Sequence, residues 1–386
     1  AQEFEKAIAP LKAAGNSLAV EAAWMAFTAY RRLTDDQPRY ISAASDLLKR
    51  IQRDFPDHPY ARRAEYERAR MMADRSPDEM IRSLEAIPKS DPNYESARYD
   101  LTLAWYRKWS ESTSTTARQQ AAMALNEAAF SYLATNPEDA ARKVKCCLLM
   151  ANVALKSDPA DRRAAEQALD RADRWVTSVP EGNPTLAEYH YRKLQVATAA
   201  GDQEGRRKQA EWLASNGAGS PYEIPALTVV ASGLDREVRA AAEQGRQGPV
   251  EQARDAFQRL SSRLGISPEV IAANKNAQVA LSRWAHYAAE TGDAERAAQS
   301  LDLLLAVFPK DRRYLRRAGL ADFEAGNYDR AVKRWRTLLA GLPKDSDAWF
   351  EAKYYQIRCL EKTSPPQAQK VLRQFQLLHP ELGPPA

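Results

Sequence analysis

Residues 290–311 read ETGDAERAAQSLDLLLAVFPKD, and residues 324–345 read EAGNYDRAVKRWRTLLAGLPKD. The two stretches begin 34 residues apart and place glycine, alanine and proline in the same register. The matched pairs are Gly292 and Gly326, Ala297 and Ala331, and Pro309 and Pro343. A period of this length indicates a repeated supersecondary unit, and the repeat decides the fold.

Each stretch combines the end of one helix with the start of the next. Gly292 suits the left-handed C′ position that ends a helix, and Asp293 is a favourable N-cap for the helix that follows. Gly326 and Asn327 repeat this pattern, and Glu295 places a negative charge in the first turn, where the helix dipole favours it. The closing proline ends the second helix, because the residue before a proline avoids the α region. One unit is therefore predicted to be a helical hairpin of 34 residues.

Small residues mark the points where the two helices of a hairpin cross. Ala297 and Ala331 leave room for a close approach, and Trp335, one turn later, fills the groove beside the contact. The length, the small crossing residues and the terminal proline together resemble the tetratricopeptide repeat (TPR). Five residues occupy signature positions of that family: Leu315, Gly319, Ala331, Trp335 and Pro343. The resemblance implies an all-α, right-handed superhelical solenoid of antiparallel helix hairpins, with its best repeats at 278–311 and 312–345.

The pattern continues outward from these two repeats in weaker form. We predict divergent TPR-like repeats over residues 1–220 and more regular ones over residues 221–386, continuous with the first half. Ala-x-Tyr recurs near the start of predicted helices, at Ala64/Tyr66, Ala97/Tyr99, Ala187/Tyr189 and Ala352/Tyr354. The stretch 267–292, SPEVIAANKNAQVALSRWAHYAAETG, is expected to form one helix of about seven turns.

Composition favours a helix-rich chain without a membrane span. Glycine is scarce, at 15 of 386 residues, and no apolar run reaches the roughly 18 residues that a spanning helix needs. The chain begins AQEFEKA without Met, as expected of a processed chain or a piece cut from a longer one. The corner at 50–69, RIQRDFPDHPYARRAEYERA, resembles the TPR arrays of bacterial envelope proteins such as the lipoprotein of the outer-membrane barrel-assembly machinery. An exported, periplasmic location is therefore favoured over a cytoplasmic one.

Residues that carry catalysis or bind metals do not form a recognisable motif. None of the four histidines stands in an H-E-x-x-H arrangement or pairs with cysteine at zinc spacing. Cys146 and Cys147 point about 100° apart on a helix, and with Cys359 they make an odd count that cannot form a closed disulfide framework. The glycine-rich NGAGS at 216–220 lacks the Lys-Ser/Thr of a P-loop. We expect no metal, no cofactor and no catalytic function.

Positive charge is concentrated in one window of the sequence. The formal net charge is +5, and residues 310–336 hold nine basic and four acidic residues. In the TPR family, the first helix of each repeat lines a concave groove that holds partner peptides. The resemblance implies these lining residues: Arg313, Arg316, Leu320, Phe323 and Glu324 in one repeat, Ser282 and His286 in the preceding one, and Phe350 and Tyr354 in the following one. Such a groove would suit an acidic extended peptide or a C-terminal carboxylate.

Other interpretations of the basic window stay open. The arginine stripe could be a solvated helix face whose stems cover apolar neighbours. Aromatic residues interleave with the arginines, as in repeat proteins that bind RNA, although the balanced charge elsewhere provides no continuous phosphate track. The lysine/asparagine clamp of chaperone-tail-binding TPR domains is absent. The predicted function is a non-catalytic scaffold for another protein or peptide; the alternatives are RNA binding, or a helical accessory region of a larger envelope enzyme or assembly complex.

Overall fold

The computed structural model describes residues 1–34, 37, 39–71 and 76–380. Over these residues the chain forms twenty α-helices and one short 3₁₀-helix, and it contains no strand. The chain divides into two compact units, Ala1–Asp202 and Gln203–Ala386. Residues 381–386, at the end of the region predicted to hold the more regular repeats, lie outside the described residues. The separation of the repeats at residue 220 by their regularity stays a prediction.

In its described residues the first unit contains ten α-helices that follow one another with short connections. They are α1 Gln2–Ala13, α2 Leu18–Leu33, α3 Tyr40–Asp54, α4 Pro59–Met71, α5 Pro77–Glu85, α6 Tyr94–Glu111, α7 Thr115–Ala134, α8 Ala140–Leu155, α9 Arg162–Ala172 and α10 Pro184–Ala200, with the 3₁₀-helix Val176–Ser178 before α10. Consecutive helices pack against each other, and α8 also contacts α6 and α10. Helices α6, α8 and α10 therefore lie side by side, as the first helices of stacked hairpins do.

The recurring Ala-x-Tyr pattern has a packing role in the first unit. Its alanines at 64, 97 and 187 are buried at the start of α4, α6 and α10. Two of its tyrosines make long-range hydrogen bonds: the Tyr66 hydroxyl donates to Asp100 of α6 at 2.7 Å, and Tyr189 donates to Asp173 at 2.6 Å. The small residue permits close helix contact, and the tyrosine fixes the helix against a neighbour.

The second unit, described as far as residue 380, also contains ten helices. They are α11 Gln203–Asn216, α12 Glu223–Glu243, α13 Val250–Arg263, α14 Pro268–Ala273, α15 Lys275–Glu290, α16 Ala294–Val307, α17 Arg312–Glu324, α18 Tyr328–Gly341, α19 Asp347–Thr363 and α20 Pro365–Leu378. Helices α15/α16, α17/α18 and α19/α20 form three successive hairpins, and α17 also contacts α19. The predicted array of antiparallel helix hairpins is confirmed in this unit, and none of the described helices of the chain is long and apolar enough to cross a membrane.

The turns inside the two best repeats follow the sequence pattern closely. Gly292 and Gly326 have φ of 80° and 77°, the left-handed conformation expected at the end of a helix. The Asp293 carboxylate accepts a hydrogen bond from the Arg296 backbone N–H at 3.2 Å, so it is the N-cap of α16. Asn327 differs, because its side chain makes no capping hydrogen bond to α18. The predicted left-handed turns at Gly292 and Gly326 are present, but of the two predicted N-caps only Asp293 forms a side-chain hydrogen bond to its helix.

Trp335 is fully buried and belongs to the largest apolar cluster among the described residues of this unit. Its indole lies against Gly319 of the partner helix, where an added Cβ would come within 2.6 Å of the Trp335 Cε2. The ring also stacks on Tyr355 of α19, with 5.1 Å between ring centroids. Glycine at 319 is therefore required by close approach to the indole, and Trp335 joins the 312–345 hairpin to the next one.

The single seven-turn helix predicted over 267–292 is wrong. The structure divides it at Asn274, whose φ of −128° and ψ of 104° are extended. The Asn274 side-chain oxygen accepts hydrogen bonds from the backbone N–H groups of Asn276, at 2.9 Å, and Ala277, at 3.4 Å. Asparagine favours such local side-chain bonds over the helical ladder, so it starts α15 afresh. The short α14 packs on α15 and α16, with Ile271 almost fully buried.

Candidate partner-binding face on the first helices

The residues predicted to line a groove lie on three neighbouring helices. Ser282 and His286 are on α15; Arg313, Arg316, Leu320, Phe323 and Glu324 are on α17; Phe350 and Tyr354 are on α19. Each of these helices is the first of its hairpin. We call the surface formed by these three helices the first-helix face.

Side-chain hydrogen bonds link the three helices in series. On α17, the Arg317 guanidinium donates to the Ser282 hydroxyl at 3.0 Å and to the Ser282 carbonyl oxygen at 2.8 Å. From the preceding position on α17, the Arg316 Nε donates to Glu351 of α19 at 2.7 Å, and its Nη2 donates to the other carboxylate oxygen. Bidentate arginine–carboxylate pairs fix orientation as well as distance. We refer to these links as rungs, since each joins one first helix to the next.

A separate link, not one of the rungs, joins α12 to α15 through a buried carboxylate. Asp235 of α12 is only 5% exposed and accepts a hydrogen bond from the Tyr287 hydroxyl at 2.7 Å. Arg239 donates to the same carboxylate, and the Arg283 Nε lies 3.4 Å from it. Burial alone would raise the pKa of Asp235, but the hydrogen bonds from Arg239 and Tyr287 and the charge of Arg283 lower it below its usual value. The carboxylate is thus held ionised.

Several predicted residues remain accessible on this face. The Arg313 side chain is 81% exposed, with one guanidinium nitrogen 3.1 Å from Asp311, the N-cap of its own helix. Tyr354 is 56% exposed, and Glu324 is also exposed. Sequence reasoning did not include Val279 of α15, which is 48% exposed. Apolar and cationic side chains therefore reach solvent from all three helices.

Other predicted residues are held by internal contacts. Leu320 and Phe323 are partly buried and pack on the central apolar cluster, where Phe323 meets the Tyr355 ring edge-on at 5.4 Å. Phe350 packs against Phe375 and His379 at the end of α20, at 6.0 and 5.3 Å between centroids. These three side chains support the face rather than project from it.

His286 lies at the edge of the face in a partly buried position. Its Nε2 is 3.3 Å from the Glu290 carboxylate one turn along α15. Burial lowers the pKa of His286, and the charges of Arg317 and Arg283 act in the same direction against the opposing charge of Glu290. The imidazole is therefore neutral at pH 7.

Arg317 and Glu351 are the members of the rungs that sequence reasoning missed. Ser282 and Arg317 are 35 residues apart, and so are Arg316 and Glu351. In an array with a 34-residue period, a spacing of 35 brings neighbouring positions of adjacent first helices together. A search for complementary polar residues at that spacing would have found both pairs.

Metal and thiol chemistry find no support among the described residues. They contain no group of three or more His, Cys, Asp or Glu side chains placed to hold a metal ion. Cys146, Cys147 and Cys359 are free and buried. Burial raises the pKa of Cys147 to about 12 and that of Cys359 to about 11, so both thiols are protonated at neutral pH and poor nucleophiles.

Stacked hairpins of 34 residues, glycine-ended first helices and the Gly319–Trp335 contact define the class of this molecule. The chain is a TPR-like helical-repeat protein. No family model matches the sequence of this chain. No curated protein matches it either.

Solved structures show distant likeness across most of the chain. The TPR domain of P58(IPK) has 15% sequence identity and a TM-score of 0.27, covering 94% of this chain and 99% of that one. The Naa15/Naa10 structure bound to HypK-THB has 13% identity and a TM-score of 0.36, covering 96% of this chain and 60% of that one. A circular tandem repeat protein with a novel repeat topology has 15% identity and a TM-score of 0.22, covering 97% and 92%.

Proposed function

We propose that this protein is a non-catalytic interaction scaffold whose first-helix face holds an extended, acidic segment of another protein. The observation that carries the proposal is the set of rungs at Ser282–Arg317 and Arg316–Glu351, which hold three first helices side by side. Exposed Tyr354 and Val279 lie on the outer two of these helices, with the arginines of α17 between them. A row of fixed helices with apolar and cationic side chains suits a peptide laid across them.

The charge of the face favours an acidic partner. Among the described residues, Arg313 and Arg316 pair with carboxylates that are themselves partly exposed, Asp311 and Glu351. Exposed ion pairs contribute only about 0–1 kcal/mol, so a partner carboxylate can replace Asp311 beside Arg313 at small cost, while the Arg316–Glu351 rung stays in place. A guanidinium released in this way presents two parallel donors to the incoming carboxylate.

Apolar contacts complete the expected recognition. Tyr354 offers a large ring with a polar hydroxyl, and aromatic side chains of this kind dominate protein interfaces. Because Tyr354 lies one turn after Glu351 on α19, a residue that contacts the ring can carry a neighbouring carboxylate to Arg316. The expected ligand therefore combines acidic residues with at least one apolar side chain.

A binding experiment with matched charge reversals tests this proposal. Random dodecapeptides displayed on phage are selected on the full chain, and the recovered peptides are measured by fluorescence anisotropy. Arg313→Glu combined with Arg316→Glu is expected to weaken binding by about tenfold or more, a loss of about 1.4 kcal/mol. The control is Lys333→Glu combined with Arg336→Glu, the same charge change at exposed positions of α18.

Two outcomes would contradict the proposal. If the two double variants bind the peptides equally well, the first-helix face does not take part in peptide binding. Tight binding of single-stranded RNA, lost steeply with salt and abolished by the Arg313/Arg316 reversals, would instead assign the face to nucleic acid. The envelope location expected from the corner motif is not needed for either result and stays a prediction.

A further inference from the structure

Gly233 lies in the middle of α12, a 21-residue helix, at a place where nothing requires glycine for packing. A Cβ added there would meet no atom within 4 Å. Glycine weakens a helix interior relative to alanine. Glycine at position 233 therefore gives no packing advantage, whereas glycine at position 319 makes room for the Trp335 indole.

The space above Gly233 belongs to a cleft between α11 and α12. Its volume is about 330 Å³, which falls in the range of small ligand pockets and holds a few side chains. Its apolar wall consists of Val229, Val230 and Leu234, which are all partly buried. A side chain at position 233 would project into this space, so glycine keeps the cleft open.

The rim of the cleft has an excess of positive charge. Three arginines and two glutamates surround the opening: Arg206, Arg207, Arg236, Glu211 and Glu237. Both glutamates are directed at Arg207, with closest N–O distances of 3.7 Å to Glu211 and 3.9 Å to Glu237. Neither Arg206 nor Arg236 forms an ion pair with another described residue.

These two arginines have donors available for a ligand. The Arg206 Nε is buried and has no hydrogen-bond partner among the residues that the structure describes. Arg236 is exposed and forms no ion pair within the described part of the chain. A buried donor without a partner is costly, and an incoming carboxylate would satisfy it.

We propose that the α11/α12 cleft binds a peptide segment in which apolar side chains stand next to a carboxylate. The apolar side chains fill the space over Gly233 against Val229, Val230 and Leu234, and the carboxylate meets Arg206 and Arg236. The site is separate from the first-helix face of α15, α17 and α19, so it adds a second contact point for a protein partner. Two weak contacts on one chain give a bound partner a much higher effective affinity than either alone.

The probe is a fluorescein-labelled heptapeptide with two adjacent leucines followed by one aspartate, flanked by glycine and serine. Two matched peptides replace the aspartate by asparagine or both leucines by serine. Binding to the full chain is measured by fluorescence anisotropy. The wild type is expected to bind the parent peptide saturably. Its affinity for each matched peptide should be lower by about tenfold or more.

Variants at Gly233 separate cleft occupancy from folding. Gly233→Phe fills the cleft and should abolish saturable binding, and Gly233→Ala should keep affinity within about twofold while raising the midpoint of thermal unfolding. Arg236→Glu, at an exposed position, should also weaken binding by about tenfold without affecting the fold. Circular dichroism of each variant checks that the helices are intact.

Three results would overturn the proposal: no saturable binding to the wild type, equal affinity for the aspartate and asparagine peptides, or unchanged affinity in Gly233→Phe. The combined Arg313→Glu and Arg316→Glu variant distinguishes the two sites. Loss of binding in that variant, with retention in Gly233→Phe, would place the peptide on the first-helix face instead.

Discussion

The contact between Gly319 and Trp335 shows how strongly one residue can depend on another in this fold. Trp335 is fully buried, and the glycine opposite it leaves no space for even a methyl group. The indole also stacks on Tyr355 of the following hairpin. A change at either residue of the pair therefore acts on two hairpins.

Substitutions at these two positions should be strongly non-additive. Trp335→Ala is expected to cost about 3–5 kcal/mol, as for a large aromatic removed from a core. Gly319→Ala alone should cost about 1–3 kcal/mol from overpacking, but below about 0.5 kcal/mol once Trp335 is alanine, because the clash is gone. Urea unfolding followed by circular dichroism measures all three variants. Additive costs, or an unchanged midpoint for Trp335→Ala, would show that the indole does not lie against Gly319.

Two buried aspartates in the second unit respond to their surroundings in opposite ways. Hydrogen bonds and arginine charges lower the pKa of Asp235 despite its burial. Asp322, which is fully buried between Arg334 and Arg330, has a raised pKa because burial outweighs those partners. The ionised form of Asp235 thus stabilises the fold, whereas that of Asp322 becomes a cost as the pH rises above about 3.8.

Loss of the Tyr287 hydroxyl should therefore have a pH-dependent effect. The folded-state pKa of Asp235 is below 3.8. The ionised carboxylate therefore stabilises the folded state above that pH, and this stabilisation is lost as the pH falls through the folded-state pKa. Tyr287→Phe is expected to cost about 1–3 kcal/mol at neutral pH, and less in acid. Urea unfolding at a series of pH values measures this.

Tyr314→Phe provides a matched control for that series. The Tyr314 hydroxyl accepts a hydrogen bond from the neutral Gln278 side chain at 3.0 Å, so its loss should cost a similar amount at every pH. If the loss in free energy of unfolding depends on pH in the same way for both variants, the charge of Asp235 does not strengthen its hydrogen bond to Tyr287.

Among the elements, the boundary between α14 and α15 is the place where one side chain decides helix length. Asn274 accepts two backbone hydrogen bonds at the start of α15 and holds an extended conformation. The apolar residues on both sides continue with helical periodicity, so only the capping chemistry separates the two helices.

Asn274→Ala should destabilise the protein by about 0.5–2 kcal/mol through loss of this cap. Asn276→Ala is the matched control, because Asn276 is exposed in the first turn of α15 and alanine is the better helix former there. The control should be neutral or slightly stabilising. If both variants have the same thermal midpoint, the Asn274 side chain does not determine where α15 begins.

The hairpins were predictable from sequence because their signals are local. Gly292, Asp293 and Pro309 act on residues within a few positions of themselves, through a left-handed turn, a cap and a helix stop. The rungs could not be seen in this way, since Arg316 and Glu351 meet only when two hairpins stack with a particular offset. The contacts of Phe350 with Phe375 and His379 likewise join separate elements, so local signals do not show them.

At the scale of the whole molecule, stability is distributed among neighbouring hairpins. The second unit has an apolar cluster around Trp335, and the first unit has another around Tyr132, Leu125 and Leu148. Repeat arrays of this type gain stability from each hairpin and from its contacts with the next. A destabilising substitution therefore affects mainly the hairpin that carries it and the adjacent ones.

Hydrogen exchange should reveal this local character in the full chain. Trp335→Ala is expected to raise amide exchange in α16–α19 and to leave α6–α8 protected. Leu125→Ala, which also removes a fully buried side chain, should do the reverse. Mass spectrometry of peptic fragments provides the measurement. Uniform loss of protection across the chain in either variant would mean that the molecule unfolds as one cooperative body.

The rungs also constrain how such an array could gain or lose a repeat during evolution. Each joins a residue to the one 35 positions later, Ser282 to Arg317 and Arg316 to Glu351. A tandem duplication of residues 312–345 would place Arg316 opposite a second copy of Arg317, so that two cations would meet where a carboxylate is needed. Deletion of the same residues would leave Ser282 opposite Glu351, which can accept a hydrogen bond from the hydroxyl. At this point in the chain, losing a repeat is chemically easier than adding one.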